Sequence, residues 1–185
     1  MSDYRNGTYV AFDGNNEVDP TKSDQKYFQL LKAWKENSDI EFTFSDSHSK
    51  TYQVRDSSSE ETLKQRLKDR MKNSKNFLVI ISNDTSFNRG MLNYEIELAV
   101  VTYKLPIIVV YVGYKKIKDP SLLSSAWCKN LLKYINNKLA KCIHVPFKKE
   151  PIFAAISQFS VVDNNYPATS LNYYNDQAYK SWGIM

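Results

Sequence analysis

The chain reads as an α/β protein: a five-stranded parallel sheet with helices on both faces. Three observations predict this. Short apolar, β-branched runs such as Phe77–Ile81 and Pro106–Val112 have the composition of strands buried on both sides. Between such runs, apolar residues recur at helical spacing and mark one buried face. The two kinds of segment alternate as β-α-β-α-β-α-β-α-β, the order of parallel strands joined by helical crossovers. Five such strands favour the flavodoxin-like order 2-1-3-4-5, a three-layer sandwich in which strands 1 and 3 are neighbours.

Thr8–Phe12 is the first strand, closed by a turn at Asp13-Gly14-Asn15-Asn16, and a polar loop runs through Val18 to Pro20. A helix follows from about Ser23 to Asn37, with Tyr27, Leu30, Leu31 and Trp34 at i, i+3, i+4, i+7 on one face. Ile40–Phe44 alternates and is the second strand; Ser45–Ser57 is a long polar loop holding Asp46, His48, Arg55 and Asp56. Ser58 and Glu61 have the spacing of a capping box, and the helix they open carries Leu63, Leu67 and Met71 inward. Phe77–Ile81 is the third strand, 84–90 a polar loop, and Leu92, Ile96, Ala99, Val100 and Tyr103 the apolar face of the next helix. Pro106–Val112 is the fourth strand, ended by Gly113 and a basic loop. Ser121–Leu139 reads as helical, Lys141–Phe147 as the fifth strand, and Glu150–Phe159 as a last helix with Pro151 in its first turn. Residues 1–160 make one domain. The aromatic tail 161–185, with Tyr166, Tyr173, Tyr174, Tyr179 and Trp182, is too apolar to float and is expected to pack on it.

The totals narrow the function classes. With 185 residues, 42% hydrophobic and 24% charged, the chain has an ordinary globular composition and length enough for a real core. No apolar run reaches the length of a membrane span, and the first residues lack the layout of a signal peptide. Cys128 and Cys142 give neither a disulfide framework nor zinc-ligand spacing, so a reducing cytoplasmic setting is expected. The net charge of +5 suits a phosphate-bearing ligand but equally suits solubility. The basic run Lys64, Arg66, Lys68, Arg70, Lys72, Lys75 lacks interleaved aromatics and reads as a solvated helix face rather than a nucleic-acid surface. His144, inside an apolar strand, reads as a satisfied core residue.

Ligands of open parallel sheets sit in the crevice outside the carboxyl ends of the strands. The strand order brings Asp13, the 84–90 loop and the first turns of the following helix to that crevice. Glu95, one position before the buried Ile96, is the candidate catalytic residue, expected at the mouth of a cleft. Glu97 lies two positions on, about opposite around the helix, and reads as solvated. Phe12 and Asp13 are candidate ligand contacts or simply a core Phe and a turn Asp. Asp46 and His48 read first as part of a solvated loop; the alternative is a loop that closes over the site. Arg89 has the planar, multi-donor group that meets a pyrophosphate, or makes a surface ion pair.

The run Ser86-Phe87-Asn88-Arg89, followed by Asn93-Tyr94-Glu95-Ile96, resembles the third-strand loop and helix of TIR domains. The phrases YVAFDGNNE, FQLLKAWKEN, FTFSD, RDSSSEETLK and LPIIVV, in that order over residues 8 to 158, resemble the TIR-like proteins of bacterial Thoeris anti-phage systems, the ThsB type. The resemblance implies the sheet already derived, and an NAD+-consuming activity in which one glutamate, here Glu95, splits nicotinamide from the ribose. Phe12, Asp13, Asp46, Phe87 and Arg89 are the candidate substrate contacts beside it. The resemblance implies no metal and no cofactor beyond NAD+ as substrate. It further implies a cyclic or conjugated ADP-ribose signal that reaches a partner effector, self-association, and a phage-derived trigger. Gly90-Met91-Leu92 stand where many TIR domains carry an aromatic residue and a Cys.

The chemistry is compatible with a single carboxylate. Nicotinamide departs neutral, so no strong general acid is needed, while the ribose develops oxocarbenium character that a nearby carboxylate stabilises. Three other readings stand beside it. A non-catalytic TIR interaction module is one. A phospho-receiver domain would use Asp13 and Asp84, yet Val112-Gly113-Tyr114 lacks the Ser or Thr of that switch. A nucleoside deoxyribosyltransferase shares the fold type and a glutamate.

Overall fold

The computed structural model describes residues 5–14, 19–39, 43–46 and 60–185. The turn at Asn15-Asn16, the strand residues Ile40–Phe42, the loop residues His48, Arg55 and Asp56, and Ser58 of the capping box lie outside the described residues.

The strands are β1 (Gly7–Ala11), β2 (Thr43–Asp46), β3 (Ser74–Ile81), β4 (Ile107–Tyr111), β5 (Cys142–Pro146) and β6 (Asn172–Tyr173). They form one sheet in the order β2-β1-β3-β4-β5-β6, every neighbouring pair parallel. The α/β class and the 2-1-3-4-5 order stand as expected, and the strand count is corrected from five to six. The sixth comes from the tail: Asn172 and Tyr173 pair in register with Ile143 and His144 of β5. Two residues carry no alternation that a sequence reading can detect. Their pairing is available because β5 would otherwise present an open edge.

The helices are α1 (Gln25–Glu36), α2 (Glu60–Lys72), α3 (Gly90–Glu97), α4 (Lys129–Asn136), α5 (Lys149–Gln158) and α6 (Asp176–Ser181). Two differ from the pattern. In α1, Phe28 and Leu31 are buried while Leu30 is 41% exposed, so the apolar face is turned from the expected stripe toward Phe28. Phe28 wins because its ring stacks on Phe12 of the sheet, with centroids 5.9 Å apart. The expected helix 121–139 is a 3-10 stretch, Pro120–Ala126, then α4. Trp127 and Cys128 between them are extended, which sends the Trp127 indole inward onto Tyr111.

β-strand alternation divides the core into two layers. Tyr9, Ala11, Phe77, Val79, Ile107 and Val109 face the side covered by α2, α3 and α4. Val10, Phe12, Leu78, Ile80, Ile108 and Val110 face α1 and α5. The α3 helix closes with one π-helical turn, Leu98–Thr102, and the chain then reverses through Lys104 at φ 50° into β4.

The tail is fastened by a directional hydrogen-bond chain. The indole N–H of Trp127 donates to the Tyr111 hydroxyl at 2.7 Å, and His144 Nε2 lies 2.9 Å from the Ser170 carbonyl. A carbonyl only accepts, so Nε2 carries the proton and Nδ1 accepts from the Tyr111 O–H at 2.8 Å. The imidazole is therefore neutral and doubly satisfied, and burial holds its pKa down at about 4. Further along, Tyr179 is fully buried and its hydroxyl accepts from the Ile117 N–H at 3.1 Å.

Candidate functional site

Parallel pairing of β1 with β3 brings their carboxyl ends side by side, and the chain leaves both there for loops. Asp13, two residues past β1, is fully buried. One of its carboxylate oxygens accepts the Ser86 N–H at 2.9 Å. The other forms an ion pair with Arg89 Nε at 2.7 Å, with the guanidinium side chain 27% exposed. The 84–90 loop is thus held down on the end of the first strand. Its far side is pinned as well. The Phe87 carbonyl accepts from the Lys129 N–H at 2.9 Å and from the Asn93 amide at 3.1 Å. Asn93 Oδ1 in turn accepts from the Asn130 N–H at 2.7 Å. Asn93 is therefore a joint between loop, α3 and α4, a role that its place in the Asn-Tyr-Glu-Ile run does not announce.

Glu95 lies in the second turn of α3, the helix this loop leads into. It is 2% exposed rather than at the mouth of a cleft, and Oε1 accepts the Tyr9 hydroxyl at 2.6 Å. Tyr9 is itself fully buried, its ring stacked on Phe77 at 5.4 Å and 10°. The sequence placed Glu95 on a helix face but could not show that β1 hands it a phenol. Cys128, at the start of α4, faces the same spot. Burial first, then the Asp13 and Glu95 charges, push its thiol up to about 11, so it is a neutral neighbour. Glu97 points away and is exposed, with the Asn130 amide 3.4 Å from Oε2.

The other candidates divide. Asp13 and Arg89 come together, and both engage each other rather than standing open. Phe87, at 47% exposure, projects from the loop. Phe12 is 2% exposed and turned to the opposite layer with Phe28. Asp46 is the last residue of β2, in register with Val10; its side chain lies outside what is described. A residue the sequence reading passed over is Asp24, which precedes α1 like a helix cap yet makes no cap bond. Its carboxylate accepts the Ser82 hydroxyl at 2.9 Å. Burial, with the charges of Asp13 and Asp84 adding to it, pushes its pKa up to about 6 despite that bond. A Ser-Asp pair before an apolar helix has the signature of a cap, which concealed it.

Among the described residues no group of three His, Cys, Asp or Glu side chains is arranged to hold a metal, and no helix is long and apolar enough to cross a membrane. An apolar cavity of about 500 Å³ between Val100, Leu105 and Leu139 lies at the amino ends of β4 and β5, the end of the sheet remote from Glu95. The site therefore offers a buried carboxylate with a phenol donor and a neutral thiol near it, next to a loop fastened by one ion pair and hydrogen bonds to its backbone. A buried carboxylate of this kind is the group that can stabilise a developing cation. The family model for the TIR-like domain of the Thoeris protein ThsB matches residues 9–117, more than half of the chain and every element just described around Glu95 except α4.

Proposed function

The chain belongs to the family of Thoeris ThsB TIR-like domains, and from that membership together with the Glu95 site we propose that it cleaves NAD+ at the nicotinamide–ribose bond. The observation that carries this reading is Glu95 itself. It is a carboxylate on the inner face of α3, buried to 2% exposure and held by the Tyr9 hydroxyl of β1 at 2.6 Å. In the reaction the C1′–N bond breaks and its electron pair goes to the pyridinium nitrogen, so nicotinamide leaves neutral. The cationic ribose faces the Glu95 carboxylate, which stabilises it and binds ribose hydroxyls. Attack by water gives ADP-ribose; attack by a hydroxyl or ring nitrogen gives a cyclic or conjugated product, with Glu95 as base for the released proton. The product serves as a nucleotide signal to a partner effector. Because Glu95 is buried, turnover requires the site to open, and a phage-derived trigger or self-association supplies that step.

The same burial favours a second reading, a non-catalytic interaction module in which Glu95 is structural. Nicotinamide release from NAD+, measured by chromatography with and without extract from phage-infected cells, separates the two. The enzyme reading expects release that depends on the extract and disappears in Glu95→Gln. Equal release from wild type and Glu95→Gln under both conditions refutes it.

A further inference from the structure

We propose that Tyr9 is the positioning residue of the site: its hydroxyl fixes the orientation and the charge of the Glu95 carboxylate. This rests on the reading of Glu95 as the catalytic group. The two residues are 86 apart in sequence and meet only because α3 packs on the layer of the sheet that Tyr9 faces. Three features of Tyr9 go beyond packing. Its O–H···Oε1 distance of 2.6 Å is at the short end for hydroxyl donors, with the phenol donating to the carboxyl oxygen. Its ring is locked between the sheet and the helix layer by the stack on Phe77, so the donor cannot swing away. Its oxygen sits in a fully buried residue, where a hydroxyl needs a partner and a wrongly placed one is costly. A core requirement alone would be met by Phe at this position. The phenol adds one directed donor, aimed at the carboxylate that the chemistry needs.

The groups facing Glu95 leave the test readable. Cys128 on α4 is held neutral by its raised pKa. Asp13, which also faces Cys128, is tied to Arg89 and Ser86. Tyr9→Phe removes the donor and keeps the ring. In protein labelled with ¹³C at glutamate carboxyls, the Glu95 titration midpoint is expected to rise by about 1 unit in Tyr9→Phe, because a lost donor disfavours the charged form. Site-specific 3-fluorotyrosine at position 9, a stronger donor of the same shape, should move the Glu95 midpoint the other way, and this variant remains informative if Tyr9→Phe folds poorly. An unmoved midpoint in either variant overturns the proposal whether or not the protein turns over NAD+. If NAD+ turnover is absent in wild type, the enzyme reading fails by itself while the titration still judges the contact. Where turnover is present, Tyr9→Phe should lower kcat by about 10-fold with KM within twofold. A kcat equal to or above wild type would show that the contact does not serve the reaction and would overturn the positioning role.

Discussion

Arg89→Ala is the most informative single change to the 84–90 loop. The substitution removes the cation paired with Asp13, which is fully buried. Breaking a buried ion pair by deleting one partner costs about 3–5 kcal/mol, because the remaining charge is left in low dielectric. Two features place this case at the lower end. The Arg89 side chain is 27% exposed, and its Nε–H is not aligned as a hydrogen bond, so the contact is mainly coulombic. The Ser86 N–H also continues to satisfy one carboxylate oxygen. The expected loss is about 3 kcal/mol, or roughly 6–12 °C in Tm for a domain of this size. Asp13→Asn, which keeps shape and removes charge, should cost about 1–2 kcal/mol. The double variant should cost less than the sum by about 1–3 kcal/mol, since a neutral amide in place of the carboxylate no longer needs the guanidinium. Urea unfolding of the four proteins measures the cycle. An Arg89→Ala loss under about 0.5 kcal/mol, with additive effects, would refute the claim that this pair holds the loop.

Glu95→Gln should lower NAD+ cleavage by more than about 100-fold. It should leave folding intact, because the amide oxygen still accepts from Tyr9; Glu97→Gln should leave both activity and folding unchanged, and the reverse outcome in a nicotinamide-release assay would move the site. Stability should depend on pH through two buried groups of opposite sign. His144, held at about 4 in the fold against 6.5 unfolded, contributes stability that is full above pH 6.5 and lost as pH falls toward 4, up to about 3 kcal/mol. Asp24, raised to about 6, favours the fold below pH 3.8 and loses that contribution as pH rises through 6. The two oppose each other in wild type. His144→Gln should therefore remove the acid-side loss, and Asp24→Asn should hold or gain stability at about pH 7.5, both read from urea midpoints across pH. Tyr179→Ala should cost about 3–5 kcal/mol, as for a large buried aromatic. Amides near Ser170 and Tyr179 should exchange slowly, and rapid exchange throughout 161–185 would show that the tail is not docked.

What the sequence determined about this protein is what local periodicity encodes. Apolar runs marked β1, β3, β4 and β5, and their alternation with helical stripes set the parallel sheet and its order. The helical spacing around the Asn-Tyr-Glu-Ile run placed Glu95 on α3, and several phrases in order along the chain pointed to the family. His144 was legible as a core residue because a lone imidazole in an apolar strand must find partners. What only the tertiary structure decided is which distant groups meet. Tyr9 reaches Glu95 across 86 residues and Ser86 reaches Asp13 across 73, contacts set by strand order and register rather than by any neighbour in the chain. Arg89, read as a pyrophosphate contact or a surface ion pair, directs its charge to a buried aspartate. Phe28 replaced Leu30 on the inner face of α1 because the partner ring of Phe12 was there to receive it. The tail became a sixth strand because β5 offered unpaired backbone groups, which two residues could satisfy without any pattern of their own. Periodicity fixes the face a residue presents within its own element; only the packed fold fixes what that face meets.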